Sequence, residues 1–372
     1  MLFTIVVFIA VLAVLVLAHE AGHFFTARRF GCQVEEFGFG FPPRIFGRRS
    51  KKTGILYSLN WIPLGGFVKI KGEDGENRDE PDSFGHKKAW QRAIILIAGV
   101  TMNFVLAVVL LTVGFGFGIP TALPTNLADL GPQARIANTE TQIYLVAKDS
   151  PAEKAGLKSG DVILTLAGQT PASVTAVQDY LAGEIDKAVN LTVRRDGQEL
   201  AISVTPVYRD EIGRGGIGIA LARTGIVSYP WYWSLYYGAG AAGNLAVNIL
   251  VAFYTIIKNL IIGQPVGMEV TGPVGIAVMT GEVARMGIIY MLQFIALLSI
   301  NLAIINFLPL PALDGGRLLF LLIEKLRRRP VNQQIENFVH NLGFLLLMLL
   351  MVFVTYRDVV KWGGGLFRKI FG

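Results

Sequence analysis

The chain opens with an apolar run that carries no charge, LFTIVVFIAVLAVLVLA at residues 2–18, and this run leads directly into the motif HEAGH. Extended through the turn that follows, the segment reaches the roughly 20 residues that an α-helix needs to cross bilayer hydrocarbon. A secretory signal peptide is the alternative, but no Lys or Arg precedes the apolar run, as such a peptide requires. The first helix is therefore expected to anchor the chain in a membrane.

The composition agrees with a membrane protein. Hydrophobic residues make up 52% of the 372 residues and charged residues only 16%, whereas soluble domains carry about 25% charge. This balance excludes intrinsic disorder, a small disulfide scaffold and nucleic-acid binding as the main activity. The net charge of +7 is then assigned to basic loops that set topology, and the single cysteine, Cys32, excludes an internal disulfide.

Three further apolar segments, at 93–113, 287–308 and 338–355, are expected to cross the membrane. Another, at 239–262, is interrupted by Gly, Asn and Lys residues and follows the aromatic cluster YPWYWSLYY, which favours an interfacial or partly embedded helix. Basic residues follow the first span, precede the second and separate the last two, which places these regions in the cytoplasm. If 239–262 also crossed, Arg327–Arg329 would lie outside the cytoplasm, against the preference of basic loops for the cytoplasmic side. This conflict favours four spans.

Two polar regions lie between the spans. Residues 28–92 contain turn signals and alternating runs such as ILYSLNWIPLGGFVKI, which predict strands. Residues 127–208 have ordinary charge and short β-like runs around a helical VTAVQDYLAGEI. This second region is predicted to be a compact α+β module that lies outside the cytoplasm.

The HEAGH motif at the end of the first span predicts a catalytic metal site. On a helix, residues four apart lie on one face, so His19 and His23 can bind one metal ion. Glu20 lies beside them, where it can take a proton from a metal-activated water and pass it to a leaving amine. Chance occurrence of the motif is the alternative, but imidazoles and a carboxylate at the end of an uncharged span are functional by default.

A catalytic zinc ion usually has three protein ligands, so a third is expected elsewhere in the chain. His86 in the charged loop, His340 at the polar start of the last span and the thiol of Cys32 are weaker candidates. Asp314 in NFLPLPALDGGR is the better one, because two prolines end the preceding helix and two glycines permit a close backbone approach. A salt-bridge anchor for Arg317 is the alternative role for Asp314.

With HEAGH at the end of the first span and NFLPLPALDGG after the third, the chain resembles the site-2 protease family of membrane-embedded zinc metalloproteases. Within that family it is most similar to the bacterial regulator-of-sigma-E proteases. The segments FGFGFPPRIF, LNWIPLGGFVKI and GENRDEPDSFGHKKAWQRAIILIAGVTMNF extend the resemblance over nearly the whole chain, and AKDSPAEKAGLKSGDVILTLAGQ resembles a PDZ domain. Several relatives carry two PDZ modules in tandem, whereas the segment here has room for one.

The resemblance implies roles for individual residues. It makes His19, His23 and Asp314 the ligands of one zinc ion per chain and Glu20 the general base. The residues that it implies for substrate binding are Asn306, Asn301, Gly65, Gly66, Phe67 and Asn103. The edge of the GGFVKI strand would pair with an unwound substrate, whose freed backbone groups need partners. A plain hairpin turn at the two glycines is the alternative.

The function implied is that of a zinc-dependent intramembrane endopeptidase of the bacterial inner membrane, using neither nucleic acid nor an organic cofactor. Its substrates would be transmembrane segments of single-span proteins, such as anti-sigma factors or remnant signal peptides. The metal site is expected toward the cytoplasmic side, with the PDZ-like module outside as a size filter, a structural cap or a peptide binder. The alternatives are a non-catalytic PDZ-bearing scaffold with a relict metal site, against which the intact Glu20 argues, and a metal transporter.

The predicted fold class is thus a multi-pass α-helical membrane protein with four transmembrane helices, a membrane-associated β-hairpin or sheet region and one inserted α+β PDZ-like domain. The predicted segments are the first transmembrane helix with HExxH at 1–26, the cytoplasmic-side loop with strands at 27–90, the second transmembrane helix at 91–118, the PDZ-like domain at 127–208, the aromatic-rich helix at 228–265, the third transmembrane helix with the LDGG segment at 285–326, and the fourth transmembrane helix at 331–358.

Overall fold

The computed structural model describes residues 2–73, 75, 77–124, 126–195, 197–209, 213–264, 271–329 and 331–371, and the side chains of 64 and 361–371 lie outside this description. The chain divides into two compact units. The helical unit comprises Met1–Gly114 and Leu235–Gly372, and the inserted unit comprises Phe115–Ser234.

The helices and strands follow one another along the chain with short connections. They are α1 (Leu2–Arg29), β1 (Val34–Arg49), β2 (Leu56–Ile70), a 3-10 turn (Phe84–His86), α2 (Ala89–Phe117), β3 (Ile119–Ala122), a second 3-10 turn (Leu127–Leu130), β4 (Arg135–Val146), α3 (Pro151–Lys154), β5 (Val162–Leu166), α4 (Val174–Gly183), β6 (Val189–Arg195), β7 (Gln198–Val204), β8 (Val207–Arg209), β9 (Arg214–Gly216), β10 (Ile219–Ser228), α5 (Trp231–Ile261), α6 (Pro273–Met286), α7 (Ile288–Phe307), α8 (Asp314–Arg327) and α9 (Gln333–Phe371).

Within the part of the chain that the structure describes, five helices are long and apolar enough to cross a membrane: α1, α2, α5, α7 and the Gln333–Val360 part of α9. Four of them match the four predicted spans, with α7 one residue shorter at each end than the predicted 287–308, so these segments are confirmed as long apolar helices. The fifth is α5, which is the least apolar of the five helices. It coincides with the predicted interfacial helix at 228–265, of which the last residue lies outside the described ranges. A count of four crossings is therefore not confirmed by length and composition.

The helical unit is held together by close helix packing. The buried residues of α2 recur every three or four positions, at Ile95, Gly99, Asn103, Ala107 and Leu111, and so form a single face. The small residues on this face allow the backbones of α1 and α2 to approach closely. A Cβ on Gly22 of α1 would overlap the backbone of α2.

The predicted strands between the first two spans are confirmed as a curled hairpin of β1 and β2. The segment Val34–Phe39 pairs antiparallel with Gly66–Ile70, and Arg44–Arg49 pairs antiparallel with Leu56–Asn60. Buried apolar residues from the hairpin, α1 and α2 form one cluster, so the hairpin is fixed against the helices. The hairpin thereby places the GGFVKI segment in β2 beside the HEAGH turn of α1.

The inserted unit contains a six-stranded antiparallel sheet in the order β3-β10-β4-β5-β6-β7, together with α4. The alternation of buried and accessible residues along Val189–Arg195 is typical of a strand with one face in the core. The α+β architecture predicted for 127–208 is present, but the compact unit extends beyond those limits on both sides. It includes β3 and β10, which pair with each other across about 100 residues of sequence and carry no local signal of that pairing.

Candidate metal centre

Three side chains from α1 and α8 converge inside the helical unit. The Nε2 atoms of His19 and His23 lie 3.0 and 3.2 Å from Oδ2 of Asp314, and 3.2 Å from each other. Donor atoms placed tetrahedrally about 2.0–2.1 Å from a zinc ion are about 3.3 Å apart. Oδ2 of Asp314 is buried and has no hydrogen-bond partner among the residues that the structure describes. A buried carboxylate oxygen without a hydrogen bond, facing two imidazole nitrogens, fits a site for one zinc ion.

The loop that carries Asp314 follows directly from the end of α7. The helix stops where Leu308 adopts an extended backbone, in a segment with two prolines that cannot continue the helical hydrogen bonds. A Cβ on Gly315 or Gly316 would overlap carbonyl oxygens of the same loop. The two glycines therefore allow the close backbone approach that was expected of them, and α8 begins at Asp314 itself.

The imidazole of His23 is oriented by a backbone group of α2. Its Nδ1 lies 2.8 Å from the carbonyl oxygen of Ile95, and a carbonyl can only accept a hydrogen bond. The proton of the neutral ring is therefore on Nδ1, which leaves the Nε2 lone pair directed at Asp314. Metal-binding histidines usually donate their second ring N–H to such a partner.

The imidazole of His19 has its own partner on α2. The Asn103 side-chain amide lies 3.4 Å from Nδ1 of His19, and its Oδ1 is buried with no hydrogen-bond partner in the described part of the chain. A half-turn of the amide, whose two ends have nearly the same shape, places Oδ1 where it accepts the Nδ1–H of His19. Both histidines then present Nε2 to the same point.

Gly99 explains why the two imidazoles can meet in this position. A Cβ on Gly99 would overlap Nε2 of His23 and would lie 2.8 Å from Nε2 of His19. A methyl group cannot approach a ring nitrogen so closely, so only glycine leaves room for both rings. Gly99 and Asn103 are one turn apart in α2 and face the two histidines. Gly99 leaves room for the rings because it has no side chain, and Asn103 offers its amide to His19.

Glu20 lies between the histidines and the hairpin. The backbone N–H of Val68 in β2 is near enough to the Glu20 carboxylate to interact with its charge. The Cα of Gly66 packs so closely on α1 that a Cβ there would lie 2.6 Å from Val16 and 3.4 Å from Cγ of Glu20. The strand that was predicted to meet substrate is thus in contact with the residue that was predicted to be the general base.

The other residues expected to bind substrate differ in their positions. The Asn306 amide nitrogen lies 3.4 Å from Nε2 of His19, whereas the Asn301 amide donates to the carbonyl of Leu297 in its own helix, at 3.0 Å. Asn103 is fully buried against His19. Gly65 lies within β2, between the paired residues Ile62 and Gly66, and has a φ of +87°. The ring of Phe67 packs over Gly38.

Two contacts of the site have no signal in the sequence. One is the carbonyl of Ile95, which any residue could supply. The other is Ser299 of α7, whose hydroxyl donates to the backbone oxygen of Asn103 at 2.8 Å and joins α7 to α2. Neither Cys32 nor His86 belongs to the metal group, which among the described residues consists of His19, His23 and Asp314.

Two histidines and an adjacent glutamate on an apolar helix, joined by a distant aspartate that follows another apolar helix, define a membrane-embedded metalloprotease. The sequence matches Peptidase family M50 over residues 7–350. The chain therefore belongs to peptidase family M50, the site-2 proteases, and is a zinc metalloendopeptidase.

Individual relatives cover almost the full chain. It is 32% identical to the Regulator of sigma-W protease RasP of Bacillus subtilis (strain 168), over 96% of this chain and 98% of that protein. It is 31% identical to the Zinc metalloprotease RasP of Bacillus licheniformis, over 96% of this chain and 99% of that protein. A solved PDZ domain of the SdrC-like protein Lin2157 from Listeria innocua is 27% identical, covers 22% of this chain and 92% of that chain, and has a TM-score of 0.20.

Proposed function

We propose that the protein hydrolyses peptide bonds within the transmembrane segments of single-span membrane proteins. The observation that carries this proposal is the convergence of three metal-binding side chains beside apolar helices. His19 and His23 lie on α1, which is apolar enough to cross a membrane, and Asp314 begins α8 just after α7, which is another such helix. A membrane anti-sigma factor or a remnant signal peptide is the proposed substrate class. The name of the Bacillus subtilis relative, a regulator of sigma-W protease, supports the first of these.

The proposed chemistry is a hydrolysis assisted by one zinc ion and a general base. His19, His23 and Asp314 would hold the ion, which supplies a Lewis acid that lowers the pKa of water toward about 7 and polarises a carbonyl. The Glu20 carboxylate takes the proton of the attacking water and returns it to the leaving amine. The close approach of β2 to Glu20 at Gly66 and Val68 supports this role, because the strand limits the orientations open to the carboxylate.

The two asparagines nearest to His19 are assigned different roles. The Asn306 amide is partly accessible and close to Nε2 of His19, which supports a hydrogen bond from its N–H to the substrate carbonyl. Asn103 is fully buried against Nδ1 of the same ring, which supports a role in orienting His19 and not a contact with substrate.

The proposed substrate strand adds to β2 at the GGFVKI segment. A transmembrane helix must unwind before its peptide bonds can be attacked, and its freed N–H and C=O groups then need partners. Within the described residues, the Gly66–Ile70 part of β2 pairs with β1 on one side only. The packing of Gly66 on α1 beside Glu20 supports delivery of an added strand to the base.

We propose that four helices complete a crossing and that α5 does not. Asn306, near the end of α7, lies beside His19 in the second half of α1. Earlier in both helices, Val11 and Leu15 cluster with Met291 and Phe294, so α1 and α7 run in the same sense. The contacts of Gly22 with Ala98 and of His19 with Asn103 make α2 antiparallel to α1. The chain therefore leaves α2 on the side remote from the metal site and must begin α7 on that same side.

Contacts at both ends of the α5–α6 segment support this topology. Gly238 of α5 packs on Thr112 near the end of α2, and Gly281 of α6 packs on Thr4 at the start of α1. Thr4 lies about 22 Å along the helix from His19 at 1.5 Å per residue. If α5 crossed completely, the chain would leave α5 on the metal side and would have to return across the membrane before α6, whereas Gly281 of α6 packs on Thr4 at the remote end of α1.

The proposed sidedness follows from the charges near the metal level. Arg28 and Arg29 end α1 on the metal side, and Arg327–Arg329 lie at the end of α8. Short loops rich in Arg and Lys stay in the cytoplasm. The metal site is therefore proposed to lie toward the cytoplasm of a bacterial inner membrane, with the inserted unit outside, where it limits the size of substrates.

The test compares zinc content and cleavage of a tagged single-span protein in detergent for the wild type and Glu20→Gln. We expect zinc in both proteins and cleavage by the wild type alone. Glu199→Gln, on an exposed strand of the inserted unit, is the matched control and should cleave normally. Cleavage by Glu20→Gln would remove Glu20 from its role, and absence of zinc from the wild type would overturn the proposed site.

A further inference from the structure

One polar contact joins the last helix to the loop that carries Asp314. Nδ1 of His340 in α9 accepts a hydrogen bond from the backbone N–H of Ala312, at 2.9 Å. The sequence suggested His340 as a weak candidate for the third metal ligand or as a polar residue at the start of a span. In the structure the His340 ring contacts the loop two residues before Asp314, and the metal group found among the described residues does not include it.

The loop between α7 and α8 needs support from outside. Pro309 and Pro311 have no N–H and cannot donate to a backbone ladder. Ala312 has a φ of +71°, a left-handed conformation that a residue with a Cβ retains only where its surroundings hold it. The one backbone donor of this strained residue is the group that His340 binds.

Two neighbours make the contact of α9 with the loop rigid. Gly343, one turn after His340, packs on Pro311 so closely that a Cβ there would overlap it and would lie 2.9 Å from its carbonyl carbon. The ring of Phe320 in α8 lies 5.5 Å from the His340 ring, centroid to centroid. The imidazole is thus held between α8 and the loop, and the backbone of α9 at Gly343 packs directly on Pro311 of the loop.

We propose that His340 is a positioning residue for the metal centre. By accepting the N–H of Ala312 it holds the left-handed turn that directs the Asp314 carboxylate at His19 and His23, although α9 contributes no ligand atom. A looser turn would leave Asp314 free to rotate away from the two imidazoles, so the site would bind zinc less tightly. This inference rests on the proposed ligand set.

The experiment measures the zinc dissociation constant of the full chain in detergent by competition with a chelator. We expect His340→Leu to weaken zinc binding by about 10–100-fold, the range found when partners of metal ligands are removed. His340→Asn should restore it to within about threefold of the wild type, because the Asn oxygen can accept where Nδ1 does. Asn341→Leu, the neighbouring exposed position of the same helix, is the matched control and should bind zinc normally.

Further variants separate the possible failures. Gly343→Ala should weaken zinc binding, because its added methyl group overlaps Pro311 of the loop. This variant tests the same contact if His340→Leu does not fold. The unfolding midpoint of the zinc-free protein should be the same for His340→Leu and His340→Asn. A lower midpoint for His340→Leu would indicate a general packing defect and not a local effect on the loop. Normal zinc affinity in His340→Leu, or equal weakening in His340→Asn, overturns the inference. Normal affinity in Asp314→Ala would instead overturn the ligand set.

Discussion

The side-chain amide of Asn103 lies 3.4 Å from Nδ1 of His19, although 84 residues separate the two in sequence. The asparagine is fully buried, and its backbone oxygen accepts a hydrogen bond from Ser299 of α7. Three helices therefore meet at one ligand of the proposed zinc site, and the tautomer of that ligand is controlled from a second helix.

Asn103→Leu should weaken zinc binding by about 10–100-fold, because His19 would lose the acceptor that keeps its proton on Nδ1. Asn103→Asp keeps a carbonyl-like oxygen in the same place and should bind zinc about as tightly as the wild type. Chelator competition on the purified variants measures both constants. Similar weakening in the two variants would show that the residue acts through packing alone.

Gly99→Ala should abolish zinc binding, because the added methyl group occupies the space of the His23 ring nitrogen. The alanine improves helix propensity by about 0.8–1.0 kcal/mol, so loss of the helix does not explain such a result. Gly116→Ala in the same helix is the control, since the nearest atom to its Cβ is 3.8 Å away. Metal analysis of both proteins measures the outcome, and zinc retained by Gly99→Ala would contradict the described approach of the two rings.

The Asp358–α6 contact predicts a stability effect far from the metal site. Asp358 of α9 accepts hydrogen bonds from the backbone N–H groups of Gly272 and Gly275, at 3.2 and 2.8 Å, and so caps the start of α6. Asp358→Ala leaves both donors buried without this acceptor and should destabilise the fold by about 0.5–2 kcal/mol. Asp358→Asn keeps one acceptor and should lose less. Thermal unfolding in detergent compares them, and equal midpoints would contradict the capping role.

The inserted unit should show a pH-dependent stability that depends on Asp161. This buried carboxylate accepts hydrogen bonds from Arg195 at 2.6 and 2.7 Å and from the N–H of Lys158 at 2.9 Å. Burial raises the pKa of Asp161, but the hydrogen bonds from Arg195 and Lys158 lower it more, so the net pKa lies below the usual value. The stabilisation is therefore complete above the unfolded pKa of about 3.9 and is lost as the pH falls through the lower folded pKa.

Asp161→Asn should accordingly reduce the unfolding free energy at pH 7 by about 1–3 kcal/mol. Its difference from the wild type should shrink as the pH falls below about 4. Asp179→Asn is the control, because Asp179 is exposed and lies 3.7 Å from Arg214, and such surface pairs contribute little. Calorimetry of the full chain at several pH values measures these differences, and a pH-independent gap would rule out the proposed cause.

Much of the fold could be predicted because its signals are local. An uncharged run such as 2–18 fits lipid and little else, and the i, i+4 spacing in HEAGH places two imidazoles on one helix face whatever surrounds them. Proline and glycine around Asp314 marked the end of a helix and a close approach. The limits of the inserted unit were not predictable in this way, because β3 and β10 become strands by pairing with each other and with β4.

From residue identity and short spacing, the sequence by itself predicted the types of metal ligand, the proposed base beside them and the lipid environment. Only the tertiary structure decided which polar residues serve that chemistry. Asn103 and Asn301 occupy similar apolar helices, yet one contacts His19 and the other its own backbone. His340 supports the Asp314 loop from another helix. Such pairings depend on helix rotation and separation, which packing sets and no local pattern records.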